Sequence, residues 1–117
     1  MKKLTIIFFS GLFLVSHASA APKIFCSLKH SGPVIEVAKK HSGYDKNRHC
    51  TVSCMLSLRC HPTEVLLIGY LKEFKDALGY GSPEREDIIA DKYGIQLAKS
   101  KRALNDNECL EQCDLRY

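Results

Sequence analysis

The large apolar residues of this chain recur at helical spacing over most of residues 50–113. Between Glu64 and Leu78 they stand three or four positions apart, which predicts one helix over this segment. A second segment continues the pattern from Ile88 to about Ser100. No strand-like alternation or hairpin turn interrupts it. The pattern predicts an all-α fold, a single domain of four or five helices over residues 21–117.

Turn and capping residues divide the pattern into separate helices. Thr63 and Ser82 are expected N-caps, Pro83 suits a first turn, and Gly79 is typical of a helix C-terminus. Asn105 is expected to cap a last short helix. Together these residues place short turns between the helices.

Residues 21–48 carry a weaker pattern. Ser31-Gly32-Pro33 is typical of a break between elements, and the Ser42–Asp45 segment is typical of a turn. We therefore expect only a short helix here, beginning near Val34.

The first twenty residues have the order of a secretory signal. Lys2 and Lys3 precede an apolar run from Leu4 to Val15, and Ala18-Ser19-Ala20 is typical of a cleavage site. The alternative is a membrane anchor, but the run is shorter than the roughly 20 residues that span a bilayer. We expect a mature chain that begins at Ala21, has no transmembrane segment and is secreted or periplasmic.

Six cysteines follow the signal, and an even number in a small exported chain predicts three disulfides. Two Cys-x3-Cys pairs each place their thiols one turn apart on a helix face, the first on a helix over 50–60. Laying these helices antiparallel predicts Cys50–Cys113 and Cys54–Cys109, and elimination leaves Cys26–Cys60. The alternative is a zinc site, because His49 and His61 adjoin Cys50 and Cys60.

Charge divides the chain into a basic and an acidic half. Residues 21–60 contain seven bases and two acids, a net charge of +5, and residues 61–117 contain eight bases and eleven acids, a net charge of −3. The basic half favours an anionic partner, either a membrane surface or nucleic acid, and the alternative is that it only marks solvated faces. The partner we expect is a protein or an anionic membrane surface of a host or competitor cell. Nucleic acid is not expected, because aromatic and basic residues are not interleaved. The candidate binding residues are Lys39, Lys40, Lys46 and Arg48.

Four carboxylates are the candidate catalytic residues. A short turn would pair the helices over 64–78 and 83–100 as an antiparallel hairpin and bring the four together near His61. Such a group suits acid–base catalysis or a divalent cation held by His61, Asp76 and Asp91. The alternative is that they lie on solvated faces, paired with lysines. The four are Glu73, Asp76, Asp87 and Asp91.

Other catalytic signatures are absent from the sequence. It contains no phosphate-binding glycine loop, no G-x-S-x-G and no H-E-x-x-H. We expect no cofactor, and we expect a monomer.

Several short elements of the chain form a recognisable series: His49-Cys50-Thr-Val-Ser53-Cys54, Gly69-x-x-Lys72-Glu73-x-x-Asp76, Gly79-x-Gly81, Asp87-x-x-Ala90-Asp91-x-x-Gly94-Ile95 and the terminal cysteine pair. Together they resemble cysteine-bearing modules at the C-terminal ends of bacterial RHS-repeat polymorphic toxins. The K-E-x-x-D and D-x-x-A-D-x-x-G elements are also similar to those of YfiM-like bacterial envelope lipoproteins. The resemblance implies that the candidate carboxylates and Lys72 belong to a recurring helical hairpin, and it implies no reaction.

Three functions remain open at this point. The first is a secreted bacterial protein that acts by binding, as an effector or interaction protein, at an anionic membrane surface in one version. The second is a small hydrolase or toxin that uses the four carboxylates with or without a cation. The third is a structural protein of the periplasm.

Overall fold

The computed structural model describes residues 24–81 and 84–117. The expected signal over 1–20 and the expected start pair Ser82 and Pro83 lie outside the described residues. The described part contains five α-helices, a short π-helical turn and no β-strand, which confirms the all-α class. The helices are α1 (Ile24–His41), α2 (Asp45–Arg59), α3 (Pro62–Lys75), α4 (Arg85–Lys99) and α5 (Asp106–Arg116), and the π-helical turn is Asp76–Tyr80.

Two disulfides attach α2, the central helix, to α5. Cys50 is bonded to Cys113 and Cys54 to Cys109, so the two Cys-x3-Cys faces meet in antiparallel order. The third disulfide, Cys26–Cys60, joins the beginning of α1 to the residue after α2. The first two are the pairs that the spacing predicts, and the third is the pair that elimination leaves.

The disulfides also decide between the two interpretations of the cysteines. All six are oxidised, so the zinc alternative is wrong for these thiols. The bridged residues are 34, 63 and 55 positions apart, and closing such loops contributes about 2–4 kcal/mol each. Three disulfides in a small chain indicate an oxidising, extracytoplasmic compartment. Within the described residues, no helix combines the length and hydropathy needed to cross a bilayer.

α1 is longer than the short helix expected from Val34. It continues through Pro33, although proline removes a backbone donor and disfavours a helix interior. Tertiary contacts fix its first turns: Cys26 is held by its disulfide, and the Ser27 backbone N–H donates to Glu64 Oε1 at 2.7 Å. The expectation of a break was wrong because these long-range contacts override local propensity.

Several helix boundaries differ from those expected. α2 begins at Asp45 rather than at residue 50. The N-cap of α3 is His61, whose Nδ1 accepts a hydrogen bond from the Thr63 backbone N–H at 3.2 Å, so Thr63 is inside the helix. The N-cap of α4 is Glu84 rather than residue 82. Asn105 caps α5 as expected, with its side chain accepting a backbone N–H of the first turn.

α3 ends earlier than expected, at Lys75 rather than at residue 78. The π-helical turn follows it, and within that turn Gly79 has a φ of 99°. Residues with a side chain rarely adopt this conformation, so the glycine allows the chain to leave the helical direction here. Gly79 thus ends the helical segment as the sequence predicts, one turn after α3 itself has ended.

The core lies where α2 meets α4. An ideal Cβ at Gly94 of α4 would lie 2.9 Å from the Cys54 backbone nitrogen and closer still to the Cys50 carbonyl oxygen. Real side chains do not occupy such positions, so the two backbones approach directly at this glycine. Around it are packed the half-cystines of α2 and α5 together with Met55, Leu56, Ala90, Ile95, Leu97 and Ala103.

We expect Gly94→Ala to lower the free energy of unfolding by about 1–3 kcal/mol, because overpacking a fixed contact costs that much. Urea unfolding under non-reducing conditions measures the change. Gly32→Ala is the matched control, since nothing lies within 4 Å of its ideal Cβ and alanine suits an exposed helix position better than glycine. A Gly94→Ala protein as stable as the parent would contradict the close approach.

Candidate functional site

His49 of α2 lies between the carboxylates of α4. Its Nδ1 is 3.0 Å from Asp91 Oδ1, and its Nε2 is 3.3 Å from Asp87 Oδ2. Asp45, one turn earlier on α2, places Oδ2 3.9 Å from the same Nε2. The imidazole is 10% exposed, and the two α4 carboxylates are 2% and 4% exposed. The site is therefore a buried imidazole held by acids from two helices.

Helix geometry explains why these side chains meet. Asp45 and His49 are four residues apart on α2, and Asp87 and Asp91 are four apart on α4, so each pair shares one helix face. Gly94 continues the α4 face by one more turn and lies against α2. Aspartate side chains are short, so this close approach is what brings them to the imidazole.

Burial and charge act in opposite directions on these groups. Burial lowers the pKa of the His49 imidazole, but the hydrogen bond with Asp91 and the charges of Asp91 and Asp87 outweigh it, and the pKa lies above its usual value. Burial by itself raises the pKa of Asp87, but the hydrogen bond from Lys46 and the charge of His49 hold it below its usual value. Both shifts favour an imidazolium beside an ionised Asp87 carboxylate.

Two lysines complete the network. Lys46, 14% exposed, bonds Glu84 and lies 2.6 Å from Asp87 Oδ1. Burial opposes the charge of Lys46, but these bonds raise its pKa above the usual value. Lys46 was a predicted binding residue, and its ammonium is instead engaged inside the protein.

Lys72 connects the remaining predicted carboxylates. Its Nζ is 2.9 Å from Asp76 Oδ2, 3.5 Å from Glu73 Oε1 and 3.9 Å from Asp87 Oδ2. The structure thus brings the four predicted acids into one network, but in two parts: Glu73 and Asp76 around Lys72, and Asp87 and Asp91 around His49. The alternative in the sequence analysis was that the carboxylates lie on solvated faces and pair with lysines. Lysines do pair with carboxylates here, but Asp87 and Asp91 are buried.

The histidine of the site is not the one expected. His61 caps the beginning of α3 and is exposed, whereas Glu73 and Asp76 lie at the end of that helix and beyond it. Ligand atoms of Asp45, His49 and Asp87 lie within 4.8 Å of one another. A cation bound there would compete with the Lys46 ammonium for Asp87 and with the proton on His49, so we assign no metal to these residues.

In the described part of the chain, Asp91 and Glu73 each have a buried carboxylate oxygen without a hydrogen-bond partner in this network. Ser53 Oγ donates to Asp91 Oδ1 at 2.8 Å, but among the described residues Asp91 Oδ2 has no hydrogen-bond partner although it is buried. An ideal Cβ at Gly69 of α3 would lie 2.5 Å from Oδ2, so the glycine makes room for the carboxylate. Unsatisfied buried polar atoms are uncommon in folded proteins, and each one calls for a structural explanation.

An apolar cavity of about 320 Å³ opens beside this network, between α1, α2 and α3. This volume lies at the lower end of the range for small-molecule sites. His49, Ser53 and Asp91 contribute to its wall. The apolar lining residues are Ile35, Ala38, Val52, Leu56, Val65 and Ile68.

The remaining predicted binding residues lie at one end of that cavity. Lys39 lines it from the last turn of α1, and Lys40 is exposed next to it. Among the described residues neither makes an ion pair, whereas Arg48 lies 3.7 Å from Asp45. Two of the four predicted bases are therefore available to a partner.

The outer face of α3 is apolar and exposed. Its large side chains, which indicated the helix, are 43–64% exposed instead of buried. Lys92 of α4 lies 5.8 Å from the centre of the Tyr70 ring on this face. We call this row the α3 ridge: it consists of Leu67, Tyr70, Leu71 and Phe74 of α3 and continues to Leu78 in the π-helical turn.

Sequence reasoning assigned no role to His49, Ser53 and Gly69 in this site. The spacing of residues 45, 49 and 53 on one face of α2 was the available signal, next to the face that carries Cys50 and Cys54. No protein-family model, no curated protein and no solved structure matches this chain.

We expect the His49 pKa to lie above 6.5, measured by NMR titration of its ring protons. A histidine with a raised pKa stabilises the fold fully below its unfolded value, about 6.5, and this contribution is lost as the pH rises through the folded value. The stability difference between the parent and His49→Gln should therefore be larger at about pH 5.5 than at about pH 9.

His30→Gln, on α1 outside the network, is the matched control for this comparison. The interpretation fails if the His49 ring titrates at or below 6.5, or if the stability difference grows with rising pH.

Proposed function

We propose that this protein acts by binding anionic lipid surfaces, with the α3 ridge as the apolar contact. The exposed ridge is the observation that carries the proposal. Single exposed apolar residues are ordinary on protein surfaces, but a continuous row along one helix is typical of an interaction site.

The ridge has the form of an interfacial helix. Leu67, Leu71, Phe74 and Leu78 are spaced four, three and four residues apart and form one stripe. The opposite side of α3 is anchored in the protein by Val65, which is 2% exposed, and by Gly69 beside Asp91. Such a helix, lying in the plane of a membrane, buries its stripe without crossing the bilayer.

Charges around the ridge favour an anionic surface. Lys39 and Lys40 at the end of α1 are exposed and form no ion pair among the described residues, so their charges are available to an anionic surface. Lys92 borders it on the α4 side, at Tyr70. Lysines near an anionic membrane contribute about 1 kcal/mol each at low ionic strength.

The compartment fits this proposal. The disulfides require oxidation outside the cytoplasm, and the expected signal over 1–20 would deliver the chain there. We therefore propose a secreted or periplasmic protein that meets a membrane from its outer side, as an effector or an envelope component. The alternatives are that a second copy of the chain or a protein partner covers the ridge.

Flotation with vesicles tests the proposal. The parent should bind vesicles that contain phosphatidylglycerol at low salt, bind less at high salt, and bind weakly to phosphatidylcholine. Leu71→Ser/Phe74→Ser should lower the partition coefficient about tenfold or more, since losing about 1.4 kcal/mol of apolar burial is a tenfold effect.

Leu104→Ser/Leu115→Ser is the control, because both residues are exposed but lie away from α3. Equal loss in both double variants, or no binding by the parent at low salt, would rule the proposal out. A parent that dimerises through the ridge in sedimentation experiments, without binding vesicles, would assign the ridge to a second copy.

A second candidate, a hydrolase, is favoured by one further observation. A titratable imidazole, hydrogen-bonded to Asp91 and close to Ser53, lies in the wall of an apolar cavity. Neutral His49 would take a proton from a water molecule that adds to the ester carbonyl and return it to the alkoxide as the ester C–O bond breaks, and Asp91 would fix the ring through Nδ1. In this candidate Asp91 is a site residue as expected, and His49 is the proton-transfer group in place of the expected Glu73 and Asp76.

In that case the parent hydrolyses 4-nitrophenyl carboxylic esters, and His49→Gln and Asp91→Asn each lower the rate about a hundredfold or more. Arg102→Gln, which lies outside the cavity, keeps the rate. The circular dichroism spectrum of each variant checks its fold. Absence of turnover in the parent, or equal turnover in the folded variants, would eliminate the hydrolase.

A further inference from the structure

The lining of the cavity between α1, α2 and α3 changes from polar to apolar along the helices. On α2 it runs from Asp45, Arg48 and His49 near the beginning to Leu56 near the end. Eleven residues of helix separate the two ends, a length of about 16 Å. The cavity is therefore elongated, with a charged end and an apolar end.

The other two helices show the same order. α1 contributes Lys39 at the charged end and Ile35 toward the apolar end, because the Cys26–Cys60 disulfide sets the beginning of α1 against the end of α2. α3 follows Cys60 directly, so it contributes Val65 at the apolar end and Lys72 at the charged end. All three helices therefore place their charged lining residues at one end of the cavity and their apolar lining residues at the other.

The charged end has a basic opening. Lys39 is exposed and makes no ion pair among the described residues, and the Arg48 side chain is 34% exposed at 3.7 Å from Asp45. The apolar end is closed, since Leu56 and Val65 are each 2% exposed. A ligand would therefore enter with its apolar part first and leave an anionic group between Lys39 and Arg48.

We propose that this cavity binds one single-chain anionic amphiphile of the fatty-acid type, with the acyl chain along Val52, Ile68 and Leu56 and the carboxylate at Lys39 and Arg48. The site is separate from the α3 ridge, which faces outward from the same helix, so it adds a ligand to the proposed function. In the hydrolase candidate, the same head-group end would set the ester beside His49.

Isothermal titration calorimetry with decanoate below its micelle concentration tests this site. The parent should bind one decanoate per chain, and decyltrimethylammonium, of opposite head-group charge, about tenfold or more weakly. Lys39→Glu should remove the preference for decanoate while leaving the fold unchanged, because the side chain is exposed.

Variants that fill the cavity separate it from the outer surface. Val52→Trp and Ile68→Trp should each weaken decanoate binding about tenfold or more, and Ile89→Trp, on the exposed side of α4, should not. Two filling variants are used so that a fold defect in one, seen by circular dichroism, leaves the other as the test.

The ridge variant Leu71→Ser/Phe74→Ser distinguishes the two proposals. It should keep decanoate binding while losing vesicle binding, so either proposal can fail without the other. Equal affinity for both head groups, or decanoate binding retained in a folded cavity-filling variant, would overturn the acyl-chain site.

Discussion

At Gly94 the backbone of α4 lies directly against the backbone of α2, with no side chain between them. The α4 carboxylates depend on this contact, because an aspartate reaches only a short distance from its helix. Asp91 and Asp87 lie on the same face as Gly94, so the approach that excludes a Cβ also brings both acids to His49. A larger residue at this position would move the whole acidic face of α4 away from the imidazole.

The covalent framework supports that contact from the other side of α2. Cys50 and Cys54, whose backbone atoms meet Gly94, are the residues that the disulfides attach to α5. α2 is therefore fixed between a covalent partner and a close-packed one. An ionic network with little solvent exposure contributes little net stability to the fold. A protein with a core of this size therefore requires such cross-links to keep a network of this kind in its interior. The network comprises Asp45, Glu73, Asp76, Glu84, Asp87 and Asp91 with Lys46, His49 and Lys72.

Local patterns in the sequence were sufficient for the helices and the disulfides, because spacing within a helix sets which residues share a face. They were insufficient where distant residues decide the outcome. Pro33 is inside a helix because contacts with distant residues hold α1 on the rest of the protein. The periodicity of the α3 ridge indicates an apolar stripe, but it does not indicate what covers that stripe. His49 was assigned no role because its partners are about forty residues away, and only the α2–α4 approach brings them to it.

The disulfides divide the chain unequally. Residues 61–108 form a single loop between Cys60 and Cys109 with no cross-link inside it, and α3 and α4 both belong to that loop. α4 is held by its backbone contact with α2, whereas α3 is held through side chains. Of the three helices that line the cavity, α1 and α2 carry disulfides and α3 carries none, so the α3 wall is positioned by non-covalent contacts alone.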